Sequence, residues 1–381
     1  MIADFARRDV TLENWRTRPY STWAFQNVQE LVPSATIRAN ACTESAHADA
    51  ADLLTFVAEA LGGRKAPVAD WLAETETDSL VVMKSGKFIL DWHAPHRDPA
   101  RPHIIFSVSK SLTGLLAGAL VAEGAFSPDE LVTRYIPEAA GSAFGDATLR
   151  NLLDMQVSVD FIEDYLDKTG AFDRYRRATG WNPAAAGEAS GDLLSFICTI
   201  GKGEVEHGFN FAYRSPDTDL LGIVLERAGG ARFHELLSRH LWQPMGAASA
   251  ALVTVDRIGT ARAAGGISVT ARDMARVGEL VRLNGAGVIP ESWIADMWTG
   301  GSPEVWQRGG QTALFPKGAY RSFWYVTGAG EMFALGIHGQ WIWIDPAREL
   351  VIAKQSSQNQ PINDPMKATN VASFRAIASG V

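Results

Sequence analysis

A serine and a lysine three residues apart, Ser107 and Lys110, head the apolar run FSVSKSLTGLLAGALVAEG at 106–124, and no other pair in the 381-residue chain reads Ser-x-x-Lys. Residues three apart share a helix face, so the Lys110 amine can lie beside the Ser107 hydroxyl. A hydroxyl becomes an effective nucleophile once a neighbouring base takes its proton. A lysine in apolar surroundings can have its pKa lowered enough to be that base at neutral pH. The free N–H groups and dipole of a helix start also favour negative charge near Ser107. The plainer reading makes Ser107 a helix cap and Lys110 a solvated side chain. Against it stands a helix that is apolar nearly all round, so a lysine at its mouth is not simply on a wet face.

The elements that must position this pair follow from periodicity. Leu112, Leu115, Leu116, Ala119, Leu120 and Val121 recur at helical spacing and Gly124 stands where a helix stops, which predicts a buried helix with Ser107 at its first turn. SLVVMK and KFILDWH, joined by Ser85–Gly86, predict an antiparallel strand pair at 79–93. Before them, 1–47 carry aromatic anchors (Trp15, Trp23, Phe25) on a wrapping segment, and 48–75 read as helix broken at Gly62–Gly63. His93, His96 and His103 fall in a Pro-rich stretch without ligand spacing and read as a surface loop rather than a metal site.

After the Ser107 helix, 127–155 read as turns and short helices, one opening after Asp146 as a cap-like residue. Residues 157–192 are polar with aromatics, several Gly and a Pro, and predict an ordered loop that covers something. An amphipathic helix at 192–201 follows. Tyr213 and Ser215 lie on a loop that opens a strongly apolar helix. GGISVTARDMARVGELV at 265–281 is a Gly-rich turn with Thr270 as N-cap and Asp273 three residues on. VIPESWIADMWTG holds a short helix, 332–357 give an antiparallel pair of strands around Asp345–Pro346, and 365–380 form a closing helix. Helices between two groups of strands make an α+β layout, an antiparallel sheet flanked by helices with an all-α region inserted. The expected division is 1–105 (wrap, helix and first strands), 106–264 (mainly helical, with Ser107 and the tyrosine), and 265–381 (remaining helices, C-terminal strands and closing helix).

Composition narrows the function classes. The chain is 46% hydrophobic and 20% charged with a net charge of −8, a globular composition without a basic stripe for nucleic acid. Two cysteines, Cys42 and Cys198, make neither a disulfide framework nor a zinc site. No stretch approaches the ~20 apolar residues of a membrane span, and the N-terminus lacks the apolar core of a signal peptide. The expectation is a cytoplasmic protein without metal or cofactor, acting on a small molecule, with neither nucleic acid nor membrane as partner and a homodimer left open. No Gly-x-Ser-x-Gly elbow occurs, which argues against an α/β-hydrolase.

Ser107–Lys110, Tyr213-Arg214-Ser215 and the strand Leu335-Gly336-Ile337-His338-Gly339, in that order, resemble the serine β-lactamase-like hydrolases, which include penicillin-binding proteins, class C β-lactamases and related esterases. More of the chain is similar to the 6-aminohexanoate-dimer (nylon oligomer) hydrolases and their carboxylesterase relatives: WAFQNVQELVPSA near 23–35, FSVSKSLTG, EDYLD at 163–167, YRSPDTD at 213–219, GGISVTARDMARVG at 265–278 and GIHGQWIWIDP at 336–346. The resemblance implies a β-lactamase/transpeptidase-like fold and an acyl-enzyme mechanism. It implies Ser107 as nucleophile, Lys110 and Tyr213 as proton-transfer partners, and the backbone N–H groups of Ser107 and Ile337 as oxyanion hole. Tyr165 is implied as a loop residue closing on an amide substrate, with Ser215, His338, Ala264 and Arg176 as further pocket residues.

Each role has a plainer alternative. Tyr213 beside a cationic Lys110 is expected to ionise more easily and to relay a proton to the leaving group, or else to be a core tyrosine. His338 is either a pocket residue or a hydrogen-bonded structural histidine, and Tyr165 an ordinary loop aromatic. Leu335-Gly336-Ile337 stands where β-lactamases carry Lys-Thr-Gly, which removes the cation that meets a β-lactam carboxylate. Arg176 and Ala264 stand where residues suited to the linear dimer are expected, which argues against the dimer itself. The leading expectation is a serine hydrolase for small esters or linear amides. The alternatives are a non-catalytic binding or sensor protein of the same fold, or a weak β-lactamase or D-amino-acid peptidase.

Overall fold

The computed structural model describes residues 5–40, 51–185, 187 and 191–381. Its centre is a seven-stranded antiparallel sheet in the spatial order Lys87–His93, Thr77–Lys84, Leu350–Ser356, Gln340–Asp345, Met332–Gly336, Trp324–Val326, Ala319–Arg321. The first hairpin turns at Ser85 (φ +48°) and Gly86 (φ +80°), as the Ser-Gly dipeptide predicts, and pairs Lys84 with Lys87. Chain beginning and end meet where Thr77–Lys84 pairs with Leu350–Ser356, so the helical middle is inserted into one sheet.

Both faces of the sheet are covered, so its central strands are buried along their whole length rather than alternating. Helix Ala271–Arg282 covers the face of Ile342 and Val351; a Cβ on Gly278 would lie 2.5 Å from the Val351 side chain, so glycine lets helix and sheet meet. Helix Asp364–Gly380 covers the opposite face, where Phe374 packs on Trp341 and Trp343 at 5.6 and 5.7 Å between centroids. Helix Val108–Ala122 is buried from Val108 through Leu120, as its sequence predicts. Gly118 of this helix leaves room for the Trp293 ring, 2.5 Å from where a Cβ would stand.

The structure departs from the sequence reading in several places. Within 51–75 only Val68–Glu74 is α-helix; Val57–Glu59 and Lys65–Pro67 form a small strand pair. Gly62 and Gly63, both at φ +75°, turn the chain between them, and residues 48–50 of the expected helix lie outside the described residues. The 157–192 segment carries helix Ala171–Ala178, which buries Phe172, Tyr175 and Ala178. The 192–201 helix is shorter, Leu193–Ile197, and Asp192 caps it. Thr148, not Asp146, caps helix Leu149–Leu153; Asp146 instead pairs with Lys202 and His207. The 332–357 region makes three strands, because Ile337-His338-Gly339 turns the chain inside the first run. A four-stranded sheet of Ser34–Ile37, Ala251–Thr254, Ile267–Val269 and His103–Ile104 was not expected; its strands are two to four residues long and come from four distant segments.

His103 belongs to that sheet rather than to a surface loop. It is buried, and with His96 it hydrogen-bonds Asp78, at 3.1 and 2.7 Å. No group of three or more His, Cys, Asp or Glu among the described residues could hold a metal ion. Cys198 is unpaired, and Cys42 lies outside the described residues. No helix among the described residues is long and apolar enough to cross a membrane.

Candidate active site

The chain enters the Ser107 helix through Phe106 at φ +44°, a left-handed conformation that costs a bulky residue on the order of 1–2 kcal/mol. Packing holds it there. Trp15, Phe25 and Trp181 surround the Phe106 ring at 6.3, 4.9 and 5.9 Å between centroids. Trp15 and Phe25 of the N-terminal wrap are fully buried and Trp23 is half-buried. The wrap therefore buttresses the turn that presents Ser107, which stands at the N-cap position without a side-chain capping bond and is 9% exposed, whereas Lys110 one turn on is 1% exposed.

Lys110 Nζ lies 3.0 Å from Ser107 Oγ, 3.1 Å from Ser215 Oγ and 2.8 Å from the Ala264 carbonyl oxygen. The Ser215 hydroxyl donates its proton to Glu163 Oε1 at 2.8 Å, so its oxygen accepts from Lys110. The Ala264 carbonyl only accepts. A neutral Lys110 amine thus spends both N–H groups on Ser215 and Ala264, and its lone pair faces Ser107. Burial lowers the Lys110 pKa to about 7, opposed chiefly by the negative charge of Glu163. At neutral pH a large share of the amine is free to take a proton.

Tyr213 closes the other side: Lys110 Nζ is 4.9 Å from its ring centroid. Burial pushes the phenol pKa well above its usual value, and the nearby Ser107 side chain opposes this only in part. The expected easier ionisation of Tyr213 is therefore corrected: desolvation, with Tyr325 and Glu163 acting the same way, outweighs Ser107 and Arg262, and the residue is a phenol that can donate a proton. The strand Met332–Gly336 brings Ile337 to the same place. A Cβ on Gly336 would sit 2.5 Å from the Ile105 carbonyl oxygen, so only glycine lets the strand pass this close to the segment that leads into Ser107. Among the described residues the N–H groups of Ser107 and Ile337 have no hydrogen-bond acceptor, and both residues line two adjoining cavities of about 350 and 550 Å³.

A family model described as Beta-lactamase matches residues 68–375. The chain belongs to the beta-lactamase family. It is 36% identical over 363 residues, 93% of this chain and 90% of the relative, to a 6-aminohexanoate-dimer hydrolase of Paenarthrobacter ureafaciens. A candidate 6-aminohexanoate-dimer hydrolase from Bacillus anthracis shares the fold with a TM-score of 0.90 at 23% identity, covering 99% of this chain and 98% of that one. A family VIII carboxylesterase does so with a TM-score of 0.59 at 15% identity, over 81% and 95%. The expected β-lactamase/transpeptidase-like α+β fold is the fold of these structures, and the protein is a hydrolase of the serine β-lactamase-like family.

In this beta-lactamase-family site, the remaining residues singled out from sequence all lie near Ser107. Ser215 and Ala264 hold Lys110, the latter through its backbone carbonyl alone. His338 (φ +60°) lines the larger cavity but is also structural: its Nδ1 meets the Gln358 carbonyl at 2.5 Å, its ring packs on Phe25 and Phe106, and burial lowers its pKa to about 4. Tyr165 borders both cavities, and its phenol donates to Glu163 Oε1 at 2.5 Å. Arg176 lines the larger cavity and donates to the Tyr165 carbonyl at 2.6 Å.

Three acidic residues were missed. Glu163 joins Ser215 to Tyr165; its only sequence signal was its place in EDYLD. Asp219 accepts the Ala264 N–H at 2.8 Å and is paired with Arg262 and Tyr175, which fixes the carbonyl that holds Lys110. Asp217 is fully buried, neither carboxyl oxygen has a hydrogen-bond partner among the described residues, and burial raises its pKa well above its usual value, which favours the uncharged form. Carboxyls at 217 and 219 in an otherwise apolar helix were the signal for both.

Proposed function

We propose that the protein cleaves small esters and linear amides through a covalent acyl-enzyme on Ser107. Neutral Lys110 takes the Ser107 proton as Oγ attacks the substrate carbonyl carbon. The resulting oxyanion accepts hydrogen bonds from the N–H groups of Ser107 and Ile337. Collapse breaks the C–O or C–N bond; Tyr213 protonates the departing oxygen or nitrogen and regains a proton from the Lys110 ammonium. Water then attacks the acyl carbonyl with Lys110 as base, and the ammonium returns that proton to Ser107. One water is consumed, and an acid and an alcohol or amine leave.

The observation that carries this reading is the buried Lys110 amine 3.0 Å from the Ser107 hydroxyl, with two fixed acceptors turning its lone pair that way. The 36% identical relative, named for a linear amide dimer, supports amide substrates. Leu335, where a cation would meet a β-lactam carboxylate, argues against efficient β-lactam hydrolysis. The test is fluorophosphonate labelling together with p-nitrophenyl acetate turnover. Wild type should label and show a burst, and Ser107→Ala should do neither. Absence of label and burst in the wild type would favour a binding protein instead.

A further inference from the structure

The two cavities beside Ser107 differ in character. The smaller is lined by Tyr213, Phe211, Tyr325, Leu335 and Trp341 among others. Arg16, Lys168, Arg176 and Arg262 border the larger, with Glu13 and Glu163 as its acidic lining residues among the described residues. Arg262 is already paired with Asp219, and Glu163 faces Lys110 and Ser215. Lys168 and Glu13 are both exposed.

Arg16 and Arg176 remain. Neither has a carboxylate within ion-pair distance among the described residues. Arg16 donates to the Trp181 carbonyl at 3.2 Å and to Asn182 Oδ1 at 2.5 Å; Arg176 donates to the carbonyls of Tyr165 and Asp164 at 2.6 and 3.4 Å. Each guanidinium lies over an aromatic ring, Arg16 on Trp15 at 4.9 Å and Arg176 on Phe172 at 4.4 Å, which holds the pair in place. Burial lowers the pKa of both; Arg176 and Arg262 act against the Arg16 charge and Asp173 favours it, while Asp173, Asp167 and Glu163 favour the Arg176 charge from beyond ion-pair distance. Two half-buried cations, neither in ion-pair contact with a carboxylate among the described residues and both bordering one cavity, can take an anion there.

The catalytic reading says which end of the substrate brings it. Tyr213, which protonates the leaving group, lines the smaller cavity and not the larger. The acyl part therefore extends into the larger one. We propose that this cavity is an acyl pocket for a chain ending in a carboxylate, bound by Arg16 and Arg176. The substrate class is then a monoester or monoamide of an aliphatic dicarboxylic acid. This rests on the mechanism proposed above and adds to it the charge of the acyl group.

The experiment compares kcat/KM for p-nitrophenyl hydrogen adipate, p-nitrophenyl hexanoate and p-nitrophenyl 6-aminohexanoate. The expected result is a preference of at least about tenfold for the anionic ester over the neutral one, as a charge-assisted hydrogen bond provides, and a larger one over the cationic ester. The preference should shrink with added salt and nearly vanish in Arg176→Gln, while Arg176→Lys keeps part of it. Reading a ratio within each variant separates specificity from loss of folded protein. Equal or better turnover of the neutral or cationic ester by the wild type overturns the inference, as does a preference unchanged in both Arg176→Gln and Arg16→Gln. If none of the three esters is cleaved in a Ser107-dependent way, the mechanism itself fails; cleavage of all three without preference removes only the carboxylate pocket.

Discussion

Glu163 grips Ser215 at two points, accepting its backbone N–H at 2.5 Å and its hydroxyl at 2.8 Å. The contact ties the long covering segment to the start of helix Ser215–Gly229 and commits the Ser215 proton. Glu163 is also the strongest negative charge acting on Lys110, holding its pKa up against burial.

The rate should therefore follow the protonation of Lys110. Only the neutral amine can take the Ser107 proton, so kcat/KM rises with pH and levels off above about 7. In Glu163→Gln the charge that favours the ammonium is gone, the Lys110 pKa falls, and the acid limb moves to lower pH by roughly one unit. The plateau falls too, because a weaker base takes the proton. A pH–rate profile of both proteins checks this; an unmoved limb, or one moved upward, means that Lys110 is not the group titrating.

In the proposed mechanism Tyr213 serves as a neutral acid, its phenol pKa lifted by burial. An amine leaving group needs that proton far more than p-nitrophenolate does. Tyr213→Phe is expected to lower kcat on a linear amide by about 10²–10⁴-fold, the usual worth of a positioned general acid, and on a p-nitrophenyl ester by much less. Equal losses on both substrates would remove this role.

Gly336 sets the distance between strand Met332–Gly336 and the turn before Ser107. Gly336→Ala would place a Cβ 2.5 Å from the Ile105 carbonyl oxygen and push Ile337 away. Loss of one oxyanion donor costs about 10²–10³ in kcat, with KM changed little. Steady-state kinetics on a protein shown folded by circular dichroism reads it, and an unimpaired kcat would mean that the Ile337 N–H does not meet the oxyanion.

The part of the site visible in the sequence is the part built from neighbours. Ser107 and Lys110 are one helical turn apart, so composition and spacing alone place the amine beside the hydroxyl. Glu163 reaches Ser215 across 52 positions, and nothing in EDYLD announces that contact. The Ser85–Gly86 hairpin was legible because its turn is local. The four-stranded sheet was not, because strands of two to four residues carry no period and pair only through the fold. The helix expected before Val68 failed for a related reason: apolar residues there pack toward the closing helix, with the Phe56 ring against Gly380, at spacings that imitate a helical stripe. The sign of the Tyr213 shift depended on burial, which one neighbouring charge could not reveal.

The central claim is an ester bond to Ser107 during turnover. Wild-type protein mixed with excess p-nitrophenyl acetate, quenched in acid during the burst and mapped by peptide mass spectrometry, tests it most directly. The expected result is the acyl mass on the peptide holding Ser107, absent in Ser107→Ala. Turnover with that peptide unmodified at every quench time, or the acyl mass on another residue, would contradict it.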